Sequence, residues 1–158
     1  MEKLSRLYLE KAENELVLAE ILFKISGDNS IKENLEIGSK ETFYSAVISH
    51  AYYCIFYSAK AFLLLKGFKT SVPNEHKKTY DLFKKLKGFI DESLFEIYEE
   101  ESLKADSLLK IFFNEKMKRG NFTYKTLPQA NISPANESLE NAGRFFKSIN
   151  YIMRTLNE

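Results

Sequence analysis

The chain has 158 residues, of which 44% are hydrophobic and 28% charged, with a formal net charge of +1. That length fits a single domain, 1–158, able to bury about 68–70% of its unfolded surface, so no staple is needed to hold a core. The near-zero balance excludes a global field drawing the protein onto nucleic acid or membrane, and any polyanion contact must come from a local patch.

From about Lys3 to Ile25, Leu4, Leu7, Tyr8, Ala12, Leu16, Ala19 and Leu22 recur at steps of three and four. This predicts a long first helix with one apolar stripe. SGDNS ends it, with Gly27 as its cap. The polar stretch to about Lys40 reads as a loop with a helical turn around Ile31 to Ile37. From about Glu41 to Lys66 the chain is apolar nearly all round, through Phe43, Tyr44, Val47, Ile48, Tyr52, Tyr53, Ile55 and Phe56. Such a helix needs neighbours on most sides, so it is the central one, and Gly67 is its stop. Pro73 is placed to start a third helix, which runs to about Lys87 and turns Tyr80, Leu82, Phe83 and Leu86 inward.

GFIDESLFEIYEEES follows as a short acidic segment. A fourth helix is predicted from about Ser102 to Lys118, carrying Leu103, Leu108, Leu109, Ile111, Phe112 and Phe113. RGNFTYKTLPQANIS reads as an extended loop. Ser133 as N-cap and Pro134 at the first helical position start the last helix, with Leu139, Ala142, Phe145, Phe146, Ile149 and Ile152 on one side. No segment shows the period-2 alternation of a strand. The fold class is all-α, an antiparallel bundle of about five helices. The apolarity of the central helix adds the expectation of a symmetric homodimer.

Metal chemistry finds little here. There are two histidines, His50 and His76, and one cysteine, and no HExxH or paired CxxC. No metal and no cofactor is expected. No glycine-rich phosphate loop and no nucleophile elbow is present. Cys54 lies in an apolar helical run and reads as a buried, inert thiol. The opening MEKLSRLYLEKAENEL mixes both charge signs, unlike a signal peptide. The run AFLLL is far shorter than the roughly 20 apolar residues of a membrane span. A cytoplasmic protein with no membrane partner is expected.

The central helix nonetheless carries a polar edge. Ser49, Tyr53 and Tyr57 follow one another at four-residue steps, and His50 joins them. The tyrosines either plug into the core with their hydroxyls at the surface, or line a polar pocket. Lys77, Lys78, Lys84 and Lys85 share one face of the third helix, and Lys116, Lys118 and Arg119 close the fourth. These are either solvated cations or a phosphate-contacting patch. Asp91, Glu92, Glu96, Glu99, Glu100 and Glu101 balance them, so the small net charge conceals a dipolar surface.

The order of these features resembles a family. YLEKAENELVLAEILF resembles the first helix of HEPN-domain proteins, and FYSAVISHAYYCIFYSAKAFLLLKG their central helix. SVPNEHKKTYDLF resembles the histidine-containing connection after it, and SLENAGRFFKSI the closing helix. The resemblance implies an all-α bundle that forms homodimers and works beside a minimal nucleotidyltransferase, as in toxin–antitoxin pairs. It also implies, for active members, metal-independent ribonuclease chemistry from an arginine followed after four to six residues by a histidine.

Here the chain departs from that pattern. Arg119 is the candidate arginine, but after four intervening residues stands Tyr124, and no histidine follows His76. The lost imidazole is the group suited to proton transfer near neutral pH, whereas a tyrosine with pKa about 10 is a poor base there. Arg119 still suits a phosphate and Asn121 a base or ribose. Candidate catalytic residues are therefore Arg119, His50 and Tyr124. Candidate ligand-binding residues are Ser49, His50, Tyr53, His76, Arg119 and Asn121. The leading expectation is a nucleotide- or RNA-binding protein with little or no catalysis, acting with a nucleotidyltransferase. The alternatives are a metal-independent endoribonuclease with a displaced histidine, and a dimeric scaffold without ligand. Tyr124 is also the tyrosine that, by resemblance, such a partner modifies with nucleotide. In the plainer reading, Phe122 and Tyr124 pin their loop to the bundle.

Overall fold

The computed structural model describes residues 2–117 and 132–156. These form six α-helices: α1 (Glu2–Gly27), α2 (Asn29–Asn34), α3 (Tyr44–Leu65), α4 (Glu75–Lys85), α5 (Glu92–Met117) and α6 (Ile132–Thr155), with a 3-10 turn at Lys87–Phe89. No strand occurs among the described residues. The four long helices run up, down, up and down, as the bundle expected from the sequence requires. α3 is central and packs against α1, α4, α5 and α6.

The α1–α3 pair sets the frame. Ala12 and Ala19 on α1 and Ala51 and Ala61 on α3 are fully buried. Small side chains there let the two backbones approach closely. Two serines fasten the ends. Ser5 Oγ donates to the carbonyl of Ala61 at 2.7 Å. Ser26 Oγ donates to the Leu22 carbonyl and accepts from the Phe43 amide, both at 2.7 Å. Phe43 is the N-cap residue of α3 and offers no side-chain cap. The second serine therefore satisfies an amide beside the uncapped start of that helix.

Gly67 does stop α3. Its φ of 88° is left-handed, and its amide and that of Phe68 return to the carbonyls of Leu64 and Leu63. That paired cap needs a residue without a Cβ penalty. Gly27, by contrast, is the last residue of α1 rather than its cap. Asp28 ends one helix and caps the next, its Oδ1 accepting from the amides of Ser30 and Ile31. The predicted helical turn is thus α2, shifted toward the N-terminus. It ends in the same paired-bond geometry, with Glu36 at φ 57° in the glycine-like position.

Two boundaries differ from expectation. Pro73 does not begin α4. It follows a cis peptide bond and precedes Asn74, the left-handed N-cap residue. The acidic segment and the fourth helix are one continuous helix, α5. Its buried residues Leu94, Phe95, Ile97, Tyr98, Glu101 and Ala105 make one helical stripe. Leu103, one of the apolar residues assigned to the predicted fourth helix, falls opposite that stripe and is 62% exposed. The other apolar residues given for that helix, Leu109, Ile111, Phe112 and Phe113, lie outside the described side chains.

The core is aromatic. Phe83 of α4 is fully buried, with the rings of Phe62, Phe95, Tyr98 and Phe145 at centroid distances of 5.2–6.2 Å. Cys54 is fully buried as expected, and burial pushes its thiol up to about 12. α3 is long and apolar enough to cross a membrane by composition, but 72% of that window is buried inside the bundle. Its apolar surface is thus covered within one chain, against the premise from which a dimer was expected. The exposed apolar stripe lies instead on α1, at Leu4, Leu7, Val17, Leu18 and Ile21.

Candidate functional site

The edge of α3 between α1 and α4 collects most of the chemistry. Tyr52, Tyr53, Phe56 and Tyr57 from α3 meet His76 from the first turn of α4 and Tyr8 from α1. The imidazole of His76 stacks on Phe56 with ring centroids 4.0 Å apart and planes 14° apart. Its Nδ1 lies 2.8 Å from the Tyr52 hydroxyl. Tyr53 sits edge-on to the same imidazole at 5.8 Å and stacks on Tyr57 at 6.0 Å, and Tyr57 in turn meets Tyr8 at 5.9 Å. Tyr53 is 38% exposed, so this array opens to solvent.

Charge enters the array in pairs. Lys60 is the only Lys, Arg, Asp or Glu in α3 and is only 6% exposed. Its ammonium binds the Glu75 carboxylate and lies over the Tyr8 ring, 4.3 Å from the centroid. Burial opposes that charge, and the Glu75 and Tyr8 contacts more than offset it, so the Lys60 pKa is raised. Burial pushes the Tyr52 phenol up to about 12 and lowers the pKa of His76. Lys11, exposed on α1, sits over both Tyr8 and Tyr57 at about 5.5 Å. Next along the edge, His50 Nδ1 is 2.6 Å from Glu15 Oε2, with both side chains partly open to solvent.

A family model for the HEPN domain matches residues 5–155. The chain belongs to the HEPN family. No curated protein and no solved structure matches it. Membership supports a nucleotide- or RNA-related function at the level of the family.

Within this HEPN bundle, the candidate residues fare differently from one another. Tyr53 and His76 are brought into contact across the α3–α4 boundary, 23 residues apart in sequence. His50 is on the same edge but pairs with Glu15. Ser49 turns back on its own helix, its Oγ donating to the Ser45 carbonyl at 3.1 Å. Arg119, Asn121 and Tyr124 lie outside the described residues. Among the described residues, no His, Cys, Asp and Glu side chains cluster so as to hold a metal ion.

Sequence reasoning missed Tyr8, Lys11, Glu15, Lys60 and Glu75. One signal was available. A single charge in an otherwise apolar 22-residue helix must find a partner if it is buried, and Lys60 was that charge. The acids had no such mark, since α1 alternates acidic and basic residues along its length. Hollows also lie elsewhere among the described residues. One of about 500 Å³ between α1 and α6 is lined by Arg6, Glu10, Glu13, Phe146, Asn150 and Arg154, with no ring array and no histidine.

Proposed function

We propose that this HEPN protein binds nucleotide or RNA at the α3 edge with little or no catalysis of its own. In this reading it acts with a nucleotidyltransferase partner in a toxin–antitoxin-like module. The observation that supports binding is the solvent-facing ring array of Tyr53, Tyr57 and His76. Every base has a π face, and stacking on an aromatic side chain contributes about 1–3 kcal/mol per base. Lys11 supplies an exposed cation beside those rings. The support for weak catalysis is the replacement of the motif histidine by Tyr124. The nucleotidyltransferase rests on the resemblance of the helix order alone. Mass spectrometry of Tyr124 after co-expression with a nucleotidyltransferase encoded beside it tests that part, and an unmodified Tyr124 counts against it.

The binding part is tested by titrating a labelled single-stranded RNA into the protein and its Tyr53→Ala variant. The variant is expected to bind about 5- to 150-fold more weakly, the equivalent of one lost stack. Equal affinity would remove the ring array from the site. A homodimer belongs to the same proposal, supported by the exposed apolar stripe of α1. Light scattering that shows a monomer at micromolar concentration and above would end it.

A second reading, a metal-independent endoribonuclease, has one specific observation in its favour. The Glu15 carboxylate orients the His50 imidazole, as a carboxylate does for a histidine that moves protons. RNA cleavage in the presence of chelator, abolished by His50→Ala and by Arg119→Ala, would establish it.

A further inference from the structure

We infer that the outward face of α4, with the segment Lys69–Ser71, forms a second contact surface that takes the phosphate backbone of single-stranded RNA. This deepens the RNA-binding reading and rests on it. A hollow of about 290 Å³ lies there, lined by Lys69, Thr70, Ser71, Lys78, Asp81, Leu82 and Lys85. Three ammonium groups from two segments meet a single carboxylate. The hollow has a fixed wall, because the buried hydroxyls of Thr70 and Thr79 bond each other at 2.9 Å. Lys78 Nζ donates to the Ser71 carbonyl at 3.3 Å, joining two residues that line it.

The surrounding charge is one-sided. Residues 66–89 hold seven lysines and two acids, and one of those acids, Glu75, is paired with Lys60. Residues 91–106 hold seven acids and one lysine. A net charge of +1 thus resolves into a positive α4 beside a negative start of α5. Such a boundary attracts a polyanion to one flank and repels it from the next, which orients it. Lys78 and Lys85 stand seven residues apart, about 10.5 Å along the axis, so one extended strand can engage both. The same helix presents His76 on its other side, within the ring array. A strand can therefore lay its phosphates on the outer face of α4 and turn a base onto the rings.

The test is fluorescence anisotropy with a labelled oligouridylate and, separately, inorganic polyphosphate, each titrated over a series of salt concentrations. The proteins are the wild type, Lys78→Gln/Lys85→Gln and Tyr53→Ala. Circular dichroism melting checks that each variant keeps its fold. The double lysine variant is expected to weaken both ligands at low salt. For RNA its log K against log salt slope should flatten by about 1.4, the share of two phosphates on a single strand. Tyr53→Ala should weaken RNA with the slope unchanged.

RNA binding that needs Tyr53 but ignores both lysines would overturn the groove and leave the proposed function standing. Polyphosphate binding that needs the lysines, without any RNA binding, would keep the groove as a phosphate site and sink the RNA reading. Failure to bind either polyanion overturns both. Phe68, Val72 and Phe89 are exposed in the same region. Lysine-dependent binding to phosphatidylserine vesicles with RNA binding unaffected would assign the face to a membrane surface and overturn the inference. A lysine-dependent change of oligomeric state with RNA binding unaffected would assign it to a second copy and overturn the inference as well.

Discussion

Two aromatic clusters lie on either side of one short helix, and they differ in their surroundings. Around Phe83 the rings are buried and fully packed. Around His76 they are open to water and threaded with a buried lysine, its carboxylate and a second, exposed lysine. Both clusters draw on α3 and α4. The difference is set by position along those helices. Phe83 points between α3, α5 and α6, whereas His76 points to the open edge of α3 beside α1, with Asp106 of α5 in electrostatic reach. Rings buried on all sides stabilise the fold. Rings left half open at a cost in exposed apolar surface are the ones available to a ligand.

The sharpest way to break the comparison is Phe83→Ala. It should cost about 3–5 kcal/mol in denaturant unfolding, through lost transfer energy and the cavity left among four rings. Tyr53→Ala, by contrast, should leave stability within about 0.5 kcal/mol while weakening RNA. Comparable losses from the two would merge the clusters into one core. Next in size is Glu75→Ala, which strands the buried Lys60 ammonium. A loss of about 3 kcal/mol is expected by the same measurement. A neutral result would show that Lys60 simply swings out to water.

The pH response sharpens the contrast further. Burial disfavours the charged form of His76, with Glu75 and Asp106 pulling its pKa up and Lys60 pulling it down, and the net shift is downward from 6.5. The unfolded chain therefore takes up the proton first. Stability from His76 is complete above about pH 6.5 and is lost as the pH falls through the lowered folded value. Thermal melting from pH 7.5 to 5 should show a decline that His76→Phe flattens. A parallel decline in the variant would place the sensitivity elsewhere. The smallest expected effect is Glu36→Gly. It relieves a left-handed residue in the cap of α2, and a gain of up to about 1 kcal/mol should appear in the melting temperature.

Much of the fold was legible because it follows from periodicity. The apolar steps of α1, the all-round apolarity of α3 and the stripe of α6 each fixed an element. The break placed at Ser102 was an error of charge reading. Glu99, Glu100 and Glu101 look like a solvated loop, yet Glu101 is fully buried and accepts hydrogen bonds from Lys104 and Asn141. The Asn141 bond is tertiary and leaves no local trace, whereas the Lys104 bond spans three residues of one helix. The site was half legible for the same reason. Tyr53 and His50 share a helix edge that a wheel reveals, and His76 was named, but its stacking on Phe56 depends on how α4 docks. The partners Glu15, Glu75 and Tyr8 become visible only once three helices are assembled.

The two serine contacts that join α1 to α3 have a mechanical meaning. A beam pinned at both ends cannot slide along its neighbour; it can only bow. Ser5 and Ser26 hold the pair near either extremity, and the alanines between them leave no room for a large side chain to ride past. Glu15 and His50 face each other within that pinned span. Their 2.6 Å contact joins side chains on separate helices, within a span closed by a hydroxyl contact at each end.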